Sequence, residues 1–133
     1  MSETNAAKHL VLLGDSTLDN VVWVPSFKHC IKSLLLDKLP ENSIVSNYAA
    51  DGYTTDDMLN GSCPSISRAR RRDEGDPFPD DHHFHPLEQL DTLNKQLNST
   101  DNTTELKLSH AVLSVGGNDV REILHAMHKL QEV

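Results

Sequence analysis

Three short apolar runs punctuate the chain, and each enters a polar turn. HLVLL at 9–13 leads into Gly14-Asp15-Ser16, IVSNY at 44–48 into Ala49-Ala50-Asp51-Gly52, and HAVLSV at 110–115 into Gly116-Gly117-Asn118-Asp119. A continuous apolar run of about four to eight residues closed by glycine suits a strand buried on both faces, as in a parallel sheet. Between these runs the period changes to that of helices. Phe27, Cys30, Ile31, Leu34 and Leu35 fall on one helical face, with Ser26 as the expected N-cap and Pro40 as the stop. Thr54 or Thr55 is placed to cap a brief helix with Asp56 and Asp57 in its first turn. Leu87, Leu90, Leu93 and Leu97 mark a third helix. Polar residues 98–105 then lead to Leu106-Lys107-Leu108 and the third strand. Val120, Ile123, Leu124, Met127 and Leu130 give the closing helix one strongly apolar side.

Strand–helix alternation of this kind implies right-handed crossovers and a parallel sheet covered by helices on both faces. The expected sheet has three strands, with the first between the second and third. The polar turns at Ser16, Gly52 and Asn118 all follow carboxyl ends of strands, so they should share one rim, where ligands bind in open α/β sheets. Residues 61–85 break the pattern, being rich in Pro, Gly, Ser and charge without periodicity. Residues 62–84 are therefore expected to form a disordered loop insertion outside the core.

With 133 residues the chain fits one domain, 1–133, large enough to bury a working core. Its net charge of −8 argues against a nucleic-acid partner or an anionic membrane surface. No apolar run approaches the roughly 18 residues of a membrane span, and MSETNAAKHL lacks the shape of a secretory signal, so the expectation is a cytoplasmic protein. In that compartment Cys30 and Cys63 stay reduced and the sequons at Asn60, Asn98 and Asn102 go unused.

Chemistry gathers on the rim. Acyl transfer needs a nucleophile and donors aimed at the oxyanion that forms on attack. Ser16 offers a hydroxyl and its own N–H, Gly52 an N–H with no side chain in front of it, and Asn118 an amide. Gly116-Gly117 permits close backbone approach, and Asp15 suits a turn hydrogen bond supporting Ser16. The bland alternative for Ser16 is an ordinary turn serine that bonds its own backbone.

In these blocks, VLLGDSTLDN, NYAADGYTTDDML and VLSVGGNDV, the sequence resembles the SGNH (GDSL) hydrolase superfamily over residues 9–59 and 106–130. The resemblance implies a three-layer α/β/α sandwich on a parallel sheet, similar in outline to flavodoxin, and hydrolysis of acyl or acetyl esters of lipids or carbohydrates without metal or organic cofactor. It implies Ser16 as nucleophile, with the Ser16 amide, Gly52 and Asn118 as oxyanion donors and Asp15, Gly116 and Gly117 in support. The family's base, a His with a partner Asp in a D-x-x-H block after the last strand, has no counterpart following the third strand here. The expectation is accordingly an N-terminal portion of such a domain, incomplete at the C-terminus, that is nearly inactive alone. Alternatives are an inactive relative binding a carbonyl or acetylated ligand and a flavodoxin-like phosphate module, which the acidic Asp15 and Asp19 disfavour.

Other candidates have plainer readings. Asp80 and His83 match D-x-x-H but precede the third block, in a polar loop. Asp80, Asp81, His82, His83 and His85 lack the second ligand cluster a zinc site would need, so no metal is expected. Arg68, Arg70, Arg71 and Arg72 run straight into acidic residues and read as solvated loop. His125 and His128 lie on the closing helix, and Cys30 on an apolar helix face reads as core. Oligomeric state is left open by the sequence.

Overall fold

The computed structural model describes residues 6–62, 84–101 and 104–131. β1 (His9–Gly14) is followed by two 3-10 turns (Val21–Trp23 and Phe27–His29), α1 (Ile31–Lys38), β2 (Ile44–Asn47), α2 (Thr55–Asn60), α3 (Pro86–Leu97), β3 (His110–Ser114) and α4 (Gly117–Gln131). The strands form one parallel sheet in the order β2-β1-β3, with Leu12 opposite Asn47 on one side and Val112 on the other. This is the α/β arrangement expected from the alternation.

All six residues of β1 are buried, and their two-residue period divides the core. Val11 and Leu13 face a cluster with Ala50, Tyr53, Met58 and Phe84. Leu10 and Leu12 face Leu18, Val45 and Ala49, with Ile31, Leu35 and Leu39 packed against them from the α1 side. At the amino end of the sheet the buried His9 ring ties three segments together. Its Nδ1 lies 2.9 Å from the Leu106 carbonyl and its Nε2 2.8 Å from Ser46 Oγ. The carbonyl can only accept, so Nδ1 carries the proton and Nε2 accepts from the serine.

α1 starts later than the apolar spacing suggests. Ser26 Oγ turns to His29 Nδ1 at 2.9 Å and makes no cap bond, and Phe27–His29 form a 3-10 turn. The first helical N–H, that of Ile31, donates instead to Asn20 Oδ1 at 3.0 Å. A side chain eleven residues upstream thus supplies what a local cap would have given. α2 follows expectation at its start: Thr54 accepts from the Asp57 N–H while Asp57 accepts from the Thr54 N–H, a reciprocal capping box.

The expected insertion returns to the core at its far end. Ser62 and Phe84 form an antiparallel bridge, and Phe84 is 2 % exposed. The Tyr53 hydroxyl reaches both the Ser62 carbonyl (2.7 Å) and the Phe84 carbonyl (2.9 Å), sharing its one proton between them. Residues 63–83, with Cys63, the arginine run, Asp80, Asp81, His82 and His83, lie outside the described residues. Tyr53→Phe removes the proton from this junction and should lower stability by about 1–3 kcal/mol, read from urea unfolding at constant m-value. An unchanged midpoint would show that the junction carries no such weight.

Coverage by helices on both faces holds around β1 and stops at β3. Leu113 is 65 % exposed, and α4 has no buried residue, its apolar side lying open from Val120 to Leu130. Among the described residues nothing packs over this side, and no helix is long and apolar enough to cross a membrane.

Candidate active site

Three backbone hydrogen bonds bring the polar turns to one rim. Gly14 ends β1, and its carbonyl accepts from the Ala50 N–H at 2.9 Å on the β2 side. The next residue, Asp15, donates its N–H to the Ser114 carbonyl at 3.0 Å on the β3 side. Gly14 has φ +147°, and a Cβ built there would stand 1.9 Å from the Ser114 carbonyl oxygen. Glycine is required here by the close approach of two backbones.

Side chains then join the turns to one another. Asp15 Oδ1 accepts from the Thr17 N–H at 3.0 Å, closing the first turn on itself. Asp19, fully buried, accepts from the Asp51 N–H at 2.8 Å and so binds the first turn to the second. Asn118 Nδ2 donates to the Tyr53 carbonyl at 3.0 Å, binding the third turn to the second. Asp15 Oδ2 lies 3.8 Å from where a Cβ on Gly117 would sit, which places the third turn against the first. Farther out, Asp119 takes the Thr55 N–H (3.1 Å) and hydroxyl (2.7 Å), fastening the start of α4 to the start of α2.

Within this ring Ser16 is half-buried, and its hydroxyl forms no hydrogen bond with a described residue. The backbone N–H groups of Ser16 and Gly52 are committed to no described acceptor, whereas those of Asp15, Thr17, Asp51 and Tyr53 beside them are. Gly52 has φ +86° and open space where a Cβ would be. One Asn118 amide proton goes to Tyr53, which leaves the second free to donate. A hydroxyl, two backbone donors and one oriented amide are the parts that acyl transfer uses.

The electrostatics around the ring are acidic. Burial, then the neighbouring Asp19 carboxylate and Asp15, hold the Asp51 carboxyl above its ordinary range, against a hydrogen bond from Trp23 and the charge of Arg121. Hydrogen bonds from Thr55 hold Asp119 below its ordinary range. A raised carboxyl favours the folded state only while protonated. That contribution is complete below the unfolded value of 3.8, fades as pH rises through the folded value, and leaves a penalty at neutral pH. Asp51→Asn should therefore raise Tm at pH 7, modestly because the carboxyl is largely exposed, and lose that advantage near pH 3. Thermal melts at the two pH values test it, and a gain that persists at pH 3 would assign the effect to something other than charge.

No described imidazole hydrogen-bonds Ser16. His9 is at the opposite end of the sheet, His29 is bound to Ser26, and His110 lies beside Ser109. His85 is the N-cap of α3, its Nδ1 accepting from the Glu88 N–H at 3.3 Å, a role the sequence reading had not given it. His125 and His128 sit on exposed turns of α4. Trp23 and Tyr53 are rim residues that the sequence does not single out. Their position beside the turns is the local signal, since Tyr53 meets Ser62 and Asn118, 9 and 65 residues away, and Trp23 meets Asp51 in another turn. Compared with protein-family models, curated proteins and solved structures, the chain finds no match.

Proposed function

We propose that the rim is the acyl-binding half of a serine ester hydrolase of the SGNH type, on a three-layer α/β/α sandwich. Ser16 is the nucleophile, and the Ser16 amide, the Gly52 amide and the Asn118 side chain receive the oxyanion of an acyl or acetyl ester. The substrate is a small-molecule, lipid or carbohydrate ester, and the step needs no metal or organic cofactor. The observation that carries this reading is the pair of uncommitted N–H groups at Ser16 and Gly52, in a ring whose neighbouring amides are all engaged. The second reading, an inactive module that binds a carbonyl or acetylated ligand, is favoured by the lack of a described imidazole at the Ser16 hydroxyl.

Acetyl transfer from p-nitrophenyl acetate tests both. With concentrated imidazole supplied as external base, peptide mass mapping after brief exposure should find an acetyl group on the peptide that carries Ser16, reduced by Asn118→Ala. One oxyanion donor is worth about 2.7–4 kcal/mol of transition-state stabilisation. Scattered labelling, with Ser16 unmodified, would refute the hydrolase reading. Protection of that peptide by a slowly reacting ester, without acetyl transfer, would select the binding module.

A further inference from the structure

Asn118 and Asp119 are the only partly covered positions of α4; every other residue from Gly117 to Gln131 is exposed. Packing therefore does not set the direction of this helix. The chain ahead of it does not set it either. β3 is anchored at the Ser114 carbonyl, which accepts the Asp15 N–H, but Gly116 and Gly117 lie between that anchor and Asn118. Gly116 has φ +118° and open space where a Cβ would be, and glycine backbone reorients at the lowest cost.

What holds the start of α4 is a pair of polar ties to the second turn. Asn118 Nδ2 donates to the Tyr53 carbonyl at 3.0 Å, and one hydrogen bond alone lets the amide pivot about it. The next residue supplies a second point, Asp119 accepting the Thr55 N–H at 3.1 Å and the Thr55 hydroxyl at 2.7 Å. Both bonds go to a carboxylate, and one comes from the first helical N–H of α2, where an anion is favoured. α2 does not need this anion to start, since Thr54 and Asp57 already close a capping box. The tie instead joins two elements 64 residues apart.

We propose that Asp119 is a positioning residue of the Ser16 site: its grip on Thr55 fixes the start of α4 and keeps the second Asn118 amide proton aimed where the oxyanion forms. The role rests on the reading of Asn118 as an oxyanion donor. Asp119 acts through its neighbour and not on the ester, both of its carboxylate oxygens being engaged by Thr55.

A double-mutant cycle between Asp119 and Asn118 is the test. The rate of Ser16 acetylation by p-nitrophenyl acetate in concentrated imidazole is measured by peptide mass for wild type, each alanine variant and the pair. Asp119→Ala should lower it about 10- to 100-fold, because a misaimed donor loses much of what an absent one loses. In the Asn118→Ala background the same change should cost less than about twofold, no amide being left to aim. Thr55→Val keeps the N–H, loses the hydroxyl and should fall between Asp119→Ala and wild type. A readout without chemistry is the Asn118 side-chain amide in NMR spectra. Its proton shifts should move toward free-asparagine values in Asp119→Ala, with the β1 amides unmoved.

A rate in Asp119→Ala equal to wild type, an equal loss in both backgrounds, or an unmoved Asn118 amide would overturn the role of Asp119 and leave the hydrolase reading standing. A wild-type chain never acetylated at Ser16 would sink the hydrolase reading and the role with it.

Discussion

With p-nitrophenyl acetate as substrate, the 133-residue chain is expected to turn over near background, and an Asp–His pair supplied to it is expected to release a rate that Ser16→Ala removes. The reasoning is one of proton inventory. A serine hydroxyl attacks only as its proton leaves, and no described imidazole is placed to take it. The donors act later, when the oxyanion forms, and cannot replace the base. In a complete serine–histidine–acid unit, loss of one member costs on the order of 10⁴- to 10⁶-fold, with a residue of catalysis left from the donors and from binding. Free imidazole at high concentration offers a direct comparison. The increment of wild type over Ser16→Ala at equal imidazole isolates the serine-dependent rate from the reaction of imidazole with ester. Robust Ser16-dependent turnover without any added base would place a base within the chain and turn attention to His83. Turnover indifferent to Ser16 under every condition would remove the hydrolase assignment.

Among Gly14, Gly52, Gly116 and Gly117, Gly14→Ala is expected to have the largest effect on folding. Its Cβ would meet the Ser114 carbonyl oxygen at 1.9 Å and that carbonyl carbon at 2.7 Å, both backbone atoms of the paired strand. A flexible side chain could move aside, but a strand carbonyl that also accepts the Asp15 N–H cannot. The φ of +147° adds strain of its own. Losses above about 4 kcal/mol belong to a short list of causes, and backbone overlap inside a sheet is among them. Against a typical total of about 5–15 kcal/mol, the variant should be largely unfolded at 37 °C or should have lost the β1–β3 pairing. Amide exchange at 10–14 and 110–114 distinguishes these outcomes from tolerance, and protection equal to wild type would refute the overlap.

The elements legible in the sequence are those whose cause is local. β1 and β3 were readable from continuous apolar runs ended by glycine, and α2 from Thr54 or Thr55 ahead of Asp56 and Asp57. The shared rim followed from parallel order alone. Harder to see was whatever depended on a distant partner. Asn20 caps α1 from eleven residues away, so the local candidate Ser26 misled about where the helix begins. Phe84 sits at the edge of a polar stretch, and nothing near it reveals that Tyr53 draws its carbonyl into the core. Helix amphipathicity was read correctly for α4, but a stripe tells only that a helix wants a neighbour and not whether the described chain provides one.

His9 to Gly14, the strand on which both halves of the core are built, leaves the ribosome long before its β3 neighbour in the sheet. Leu10 pairs with His110, one hundred residues later. At about 5–20 residues per second, synthesis alone separates the two by roughly 5–20 s. Throughout that interval HLVLLG can pair with β2 but has an open flank, a parallel edge with apolar faces, waiting for a strand not yet made. Fast local helix formation does not shorten the wait, because the missing contact is set by distance along the chain. In a cell the abundance of this protein should therefore follow the supply of chaperones that hold nascent apolar strands, and slower translation between residues 50 and 110 should lower its yield.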